Sequence, residues 1–165
     1  MSNYLIIDGY NAISKIRQFN ARKDVSLEAS RLTFIKTLSD SLGAKGTFDK
    51  IVIVFDGKKQ ELGSNRETYG KIEAVFTANG KDADSVIVDI LRMRPPKDRM
   101  TVCSDDNFVT NHTRAFGADA MTVKKLEELI ILKKGLFKGR ILEKDLGEDK
   151  LADITREMKK HWGVE

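Results

Sequence analysis

Three apolar runs in this chain stop on an acid. Tyr4 to Ile7 leads to Asp8, Ile51 to Phe55 to Asp56, and Met100 to Cys103 to Ser104, Asp105 and Asp106. A fourth position, Asp84, lies near the start of an amphipathic stretch that reads GKDADSVIVDILRM. Taken singly, each acid is ordinary turn or cap chemistry. Asp8-Gly9 and Asp56-Gly57 are good turn dipeptides, Asp82 is a natural helix N-cap, and Asp106 could cap a following helix. Successive strands that each deliver an acid to one sheet edge are hard to obtain from turn chemistry alone. Carboxylates gathered there would repel one another, so some would stay protonated or a cation would neutralise them. An oxygen-only cluster suits a hard divalent ion, Mg²⁺ or Mn²⁺, that keeps waters for substrate phosphates. Asn11, three residues past Asp8, and Ser104 add neutral groups able to hydrogen-bond a water or a phosphate oxygen.

Those acids converge only if the elements between them fold in a particular way. Tyr4 to Ile7 reads as a short buried strand. Leu27, Leu32, Phe34, Ile35, Leu38 and Leu42 recur at helical spacing, with Ser26 as N-cap and Gly43 as stop. Ile51 to Phe55 is a second strand, Lys58 to Lys71 a polar, glycine-punctuated loop, and Ile72 to Thr77 a third strand. Val86, Ile87, Ile90 and Leu91 mark a helix that begins near Asp82 and ends before Pro95 and Pro96. Met100 to Cys103 is a fourth strand, Asn107 to Ala115 a short helix, and Ala120 to Val123 a fifth strand. Leu126, Leu129, Ile130 and Leu132 mark a further helix. Alternating strands and helices specify an α/β fold with a parallel sheet of about five strands, covered on both faces. Such sheets bind ligands outside the carboxyl ends of their strands, where Asp8, Asp56 and Asp105 fall. Residues 1–134 are expected to form this domain. Residues 135–165, with a helix from Gly147 to Trp162, are expected to be an extension packed on it.

Bulk properties narrow the function classes. At 165 residues, with 41% hydrophobic and 33% charged residues, the chain fits one compact globular domain. A formal net charge of +4 allows an anionic partner without demanding one. The single cysteine, Cys103, excludes an internal disulfide, and the only two histidines, His112 and His161, argue against a histidine cage. No apolar run reaches the ~20 residues of a membrane span, and the first strand begins too early for a targeting peptide. A reducing, cytoplasmic location is expected.

The pieces IIDGYNAI, IVIVFDG, IEAVFT, DADS and TVCSDD resemble, in order and spacing, the NYN branch of the PIN-like nuclease superfamily, most closely its YacP-like group. The resemblance runs from about Asn3 to Leu132. It implies a three-layer α/β/α, Rossmann-like PIN fold and a metal-dependent nuclease acting on RNA. Carried over by position, it implies Asp8, Asp84 and Asp105 as catalytic acids holding one or two Mg²⁺ or Mn²⁺ ions, with Asn11 and Ser104 beside them. Asp82 could share the metal with Asp84, and Asp56 is a weaker candidate. The group includes endoribonucleases that cleave messenger RNA on the ribosome, so RNA and the ribosome are the partners implied.

Substrate backbone would meet basic residues near the edge: Lys58, Lys59, Arg66, Lys81 and Arg114, each otherwise a solvated surface charge. Tyr10 and Tyr69 could stack a base, although Tyr10 reads better as a core or edge residue. Other readings fit less well. An aspartyl-phosphate enzyme needs a second acid two residues after its nucleophile, where this chain has Tyr10. A dinucleotide fold needs a glycine-rich turn, and only Gly9 follows the first strand. A non-catalytic RNA- or ribosome-binding module remains the alternative. RNA target, oligomeric state and the role of residues 135–165 are not specified by these motifs.

Overall fold

The computed structural model describes residues 1–23, 26–43, 46, 48–57, 66–78 and 81–133. Chain order is β1 (Asn3–Asp8), α1 (Gly9–Lys15), α2 (Arg17–Lys23), α3 (Leu27–Leu42), β2 (Lys50–Phe55), β3 (Arg66–Tyr69), β4 (Ile72–Phe76), α4 (Ala83–Arg92), β5 (Arg99–Cys103), α5 (Asn107–Ala115) and β6 (Asp119–Met121). A last helix, α6, covers residues 123–133. The strands form one sheet in the order β3-β4-β2-β1-β5-β6. Every pairing is parallel except that of β3 with β4.

Period-two alternation sorts the apolar residues into two cores. Leu5 and Ile7 of β1, with Ile51, Ile53 and Phe55 of β2, face α1, α2, α3 and α6 through Ile13, Phe19, Phe34, Leu38, Leu126 and Ile130. Ile6, Val52, Val54 and Val102 face the other way, against Ala83, Ile87 and Leu91 of α4 and Val109 of α5. The result is three layers, α/β/α. Most of these side chains are fully buried, each contributing about 1.5–3 kcal/mol of transfer free energy.

The sequence reading holds for the parallel core and for α3 to α6, whereas α1 and α2 fall in a stretch to which it assigned no element. Ser26 caps α3 by accepting from the Ala29 N–H at 2.9 Å, and Gly43 is its C-cap. The sheet has six strands rather than about five. The stretch read as a loop from Lys58 to Lys71 contains β3, an edge strand of Arg66, Glu67, Thr68 and Tyr69 with no buried residue. Hydrophobic periodicity carries no signal for such a strand. It joins β4 through a two-residue turn in which Gly70 takes φ +61°. Leu27 and Leu32, counted in the apolar stripe of α3, are exposed, because the buried face runs through Phe34, Ile35, Leu38 and Leu42. The expected helix from Gly147 to Trp162, and residues 135–165 as a whole, lie outside the described residues. Among the described residues, no helix is long and apolar enough to cross a membrane.

Candidate active site

The chain leaves β1 into α1 on one face and leaves β5 into α5 on the other. Neighbouring strands whose connections diverge in this way open a crevice at their carboxyl ends, the switch point of a doubly wound sheet. Parity decides what enters it. Ile6, Val54 and Val102 face α4 and α5, so the residues two further on, Asp8, Asp56 and Ser104, have the same parity. Asp8 and Ser104 are buried there, at 8% and 5% exposure. The Ser104 hydroxyl donates to Asp8 Oδ2 at 3.2 Å and accepts from the Asp106 N–H at 3.1 Å.

Two helix starts complete the crevice. Asp82 caps α4, its Oδ1 accepting from the Ser85 N–H at 2.8 Å, and this places Asp84 in the first turn. Asp106 caps α5, its Oδ1 accepting from the Val109 N–H at 3.2 Å. Burial, then the charges of Asp84 and Asp106, push the Asp8 carboxyl up from 3.8 to about 6; the Ser104 hydroxyl and the Asn11 N–H pull it back. Asp84 is also raised, by burial first and then by Asp106, Asp82 and Asp56. Asp8 therefore feels the charges of Asp84 and Asp106, and Asp84 those of Asp106, Asp82 and Asp56.

Asp105 has the opposite parity, and its surroundings differ. Its Oδ2 lies 3.1 Å from the Lys15 ammonium, and its Oδ1 accepts from the Val123 N–H at 3.0 Å. Both partners belong to the α1 and α6 layer. Its own N–H donates to the Asn11 side-chain oxygen at 3.0 Å. Asn11, expected to orient water or phosphate, holds the β5–α5 connection through this bond. Sequence reasoning named Asp106 only as a cap and did not find Lys15. Counting parity onward from Val102 singles out Ser104 over Asp105, whereas the Lys15 contact joins residues too distant in the chain to be read.

The donor chemistry fits a divalent cation: carboxylate oxygens from three elements, two of them held above their ordinary range by burial and neighbouring acids. Among the described residues no three acids are already gathered as a closed ligand set.

The expected basic contacts fare differently. Lys58 and Lys59 lie outside the described residues. Arg66 is tied to Glu73 at 2.9 Å, and Lys81 to Asp89 at 3.3 Å. Arg114 is in the last turn of α5, eight residues or about 12 Å along the axis from Asp106. Tyr10 packs on Phe55, with ring centroids 5.2 Å apart, and its hydroxyl accepts from Arg31, which agrees with its reading as a core-edge residue. Tyr69 pairs with Ile72, at the end of β4 away from the crevice.

The chain is thus a doubly wound α/β domain with acids at its switch point, an arrangement consistent with a PIN-like fold. The chain belongs to the family of YacP-like NYN domains, whose model matches residues 5–162. This is a nuclease-type family, and the match continues past the last motif recognised in the sequence. Two crystal structures of Rae1 (YacP) from Bacillus subtilis share the fold. One is 20% identical with a TM-score of 0.70, covering 96% of this chain and 93% of that one. The other, a point mutant, is 18% identical with a TM-score of 0.67, covering 98% and 96%. No curated protein matches the chain.

Proposed function

We propose that the protein is a metal-dependent endoribonuclease that hydrolyses RNA phosphodiester bonds. The observation that carries this reading is the gathering of acids around Asp8 and Asp84, whose carboxyls burial and neighbouring charges hold above their ordinary range, at the strand ends of a nuclease-type fold. Structural ion clusters repel less, because they place a lysine or arginine between the acids. Here the Lys15 ammonium is paired with Asp105.

Asp8, Asp84 and Asp106 would hold one or two Mg²⁺ or Mn²⁺ ions, with Asp82 and Asp56 at the border. A bound ion would supply the charge that activates water and stabilises the leaving oxygen. Ser104 fixes one oxygen of Asp8 and, through the Asp106 N–H, the start of α5. Asp105 braces that loop from behind. In-line attack with departure of the 3′ oxygen leaves a 5′-phosphate and a 3′-hydroxyl. The YacP-like resemblance supports messenger RNA on the ribosome as the substrate setting, in the cytoplasm. Residues 1–134 form the catalytic domain in this reading, with 135–165 as its extension.

The test is incubation of end-labelled RNA with the protein and Mn²⁺, in parallel with excess chelator. Internal cleavage with metal alone is expected. Binding without cleavage in both conditions would support a non-catalytic RNA-binding module instead.

A further inference from the structure

Arg31 of α3 is half-buried, and among the described residues no carboxylate stands within ion-pair distance of it. Its contacts are neutral instead. One guanidinium nitrogen donates to the Tyr10 hydroxyl at 3.1 Å, and the guanidinium carbon stands over the Phe76 ring, 5.2 Å from its centre. Glu67, on the same side of the sheet, accepts from the Tyr69 hydroxyl at 2.7 Å. The two partners of Arg31 place it at the carboxyl edge of the sheet. Tyr10 is in the first turn of α1, two residues past Asp8. Phe76 ends β4 and pairs with Phe55, the residue before Asp56. The Tyr10 and Phe55 rings lie 5.2 Å apart, and those of Phe55 and Phe76 are stacked at 5.5 Å. These rings form a row across the ends of β1, β2 and β4, and Arg31 bridges its two outer members. The cation thus stands on the α3 side of the edge whose other side carries Asp8 and Asp56.

We propose that Arg31 is a phosphate-contact residue, holding a backbone phosphate of the RNA other than the scissile one on the α3 side of the acids. This rests on the RNA reading above and adds a subsite to it. A half-buried cation loses hydration, and a phenol oxygen with a ring face restores only part of that loss. An anion delivered by a ligand restores the rest. The planar fork of an arginine matches phosphate oxygens, and most of its five donors are not engaged by Tyr10. Tyr10 and Phe76 fix the plane of the fork in advance, so little side-chain freedom is lost on binding. A single fork holds free phosphate weakly. A phosphate tethered to a strand already held at the acids arrives at high effective concentration, which favours the polymer. Such a contact positions the strand and reads no sequence.

The test separates charge, fork and simple bracing. Affinity for a labelled single-stranded oligoribonucleotide is measured by anisotropy over a range of salt in the Asp8→Asn background, so that the RNA stays intact. Adding Arg31→Gln should weaken binding about tenfold, the scale of one charge-assisted contact, and lower the salt slope by about 0.7. Arg31→Lys should keep the slope and recover only part of the affinity, because the charge returns without the fork. Tyr10→Phe should give a smaller loss with the slope unchanged. In the otherwise native protein with Mn²⁺, Arg31→Gln should raise KM with little change in kcat. Equal affinity and slope in Arg31→Gln and its parent, whatever the melting temperature, would leave Arg31 a brace between Tyr10 and Phe76 and overturn the contact. So would a loss of affinity without a change of slope. An Arg31-dependent rise in melting temperature with inorganic phosphate, at unchanged RNA affinity, would mark a free-anion site and overturn it too. If the native protein binds RNA but never cleaves it, the nuclease reading fails while the salt series still decides the contact; if it binds no RNA, both fail.

Discussion

The Lys15 ammonium sits 3.1 Å from Asp105 Oδ2, and this pair ties Asp105 to α1, whereas the adjacent Asp106 caps α5. With Oδ1 taken by the Val123 N–H, Asp105 joins the end of α1, the end of β5 and the start of α6. Asp106, one residue on, turns to the opposite layer and shares the crevice with Asp8 and Asp84. One residue along the chain is enough to send neighbouring carboxylates toward opposite layers of the sheet.

That division is open to direct measurement. Asp106→Asn keeps the shape and the capping oxygen but removes charge, so RNA cleavage with Mn²⁺ should fall about 100-fold or more, in the range of losing one positioned catalytic group. Lys15→Gln removes a pair whose side chains are 49% and 27% exposed, so stability should change by no more than about 1 kcal/mol and cleavage by a few-fold. Cleavage lost in Lys15→Gln but retained in Asp106→Asn would return Asp105 to the reacting set.

Asp8 supplies a pH signature in the metal-free protein. Its folded-state value of about 6 lies above the ordinary 3.8, so the folded chain holds the proton more tightly than the unfolded one. The ionised form is therefore a cost above pH 6, relieved as pH falls toward 4, and worth about 3 kcal/mol at most for two units. Glu73 works in the other direction and lower: Lys50, its first cause, holds it below its usual 4.5, so its contribution is lost only under more acid conditions. With chelator present, the gap in unfolding free energy between Asp8→Asn and the native protein should be largest near pH 7 and shrink toward pH 4. A gap independent of pH would mean that Asp8 is not the strained group.

The parallel strands were legible because strands buried on both faces read as unbroken apolar runs, as IVIVF does. Helix caps were legible for a local reason: Ser26, Asp82 and Asp106 each bond a backbone N–H three residues on. Legibility failed where the deciding partner is remote or where polarity hides a strand. RETY is an edge strand with no buried residue and no apolar period to read. Asp105 and Asp106 look interchangeable until Lys15 and Val123, far away in the chain, claim one of them.

Gly57 carries a constraint that motif reading leaves as a simple turn. A Cβ there would stand 2.2 Å from the Thr77 carbonyl oxygen, a backbone atom unable to yield, and the Gly57 N–H donates to the Thr77 hydroxyl at 2.9 Å. The contact clamps the ends of β2 and β4, beside Asp56. Gly57→Ala should cost about 1–3 kcal/mol, the usual scale of overpacking, read as a lower denaturant midpoint with an unchanged slope. The mutant should also lose cleavage activity by more than its loss of folded fraction, because the strand ends that carry the crevice would shift.

Metal binding should register as stability even before any RNA is added. A ligand that binds only the folded chain raises its stability by about 2.7 kcal/mol at one hundred times its dissociation constant. Relief of the repulsion at Asp8 and Asp84 points the same way, since a cation replaces the proton that those carboxylates would otherwise retain. Titrating Mn²⁺ or Mg²⁺ at pH 7 should therefore raise the melting temperature to a plateau, chelator should reverse it, and protons should compete, so that the midpoint moves to higher metal as pH falls through 6. Asp8→Asn, already relieved of charge, should begin more stable and gain less. A melting temperature indifferent to both ions in the native protein would remove the metal from the site, and the hydrolytic mechanism with it.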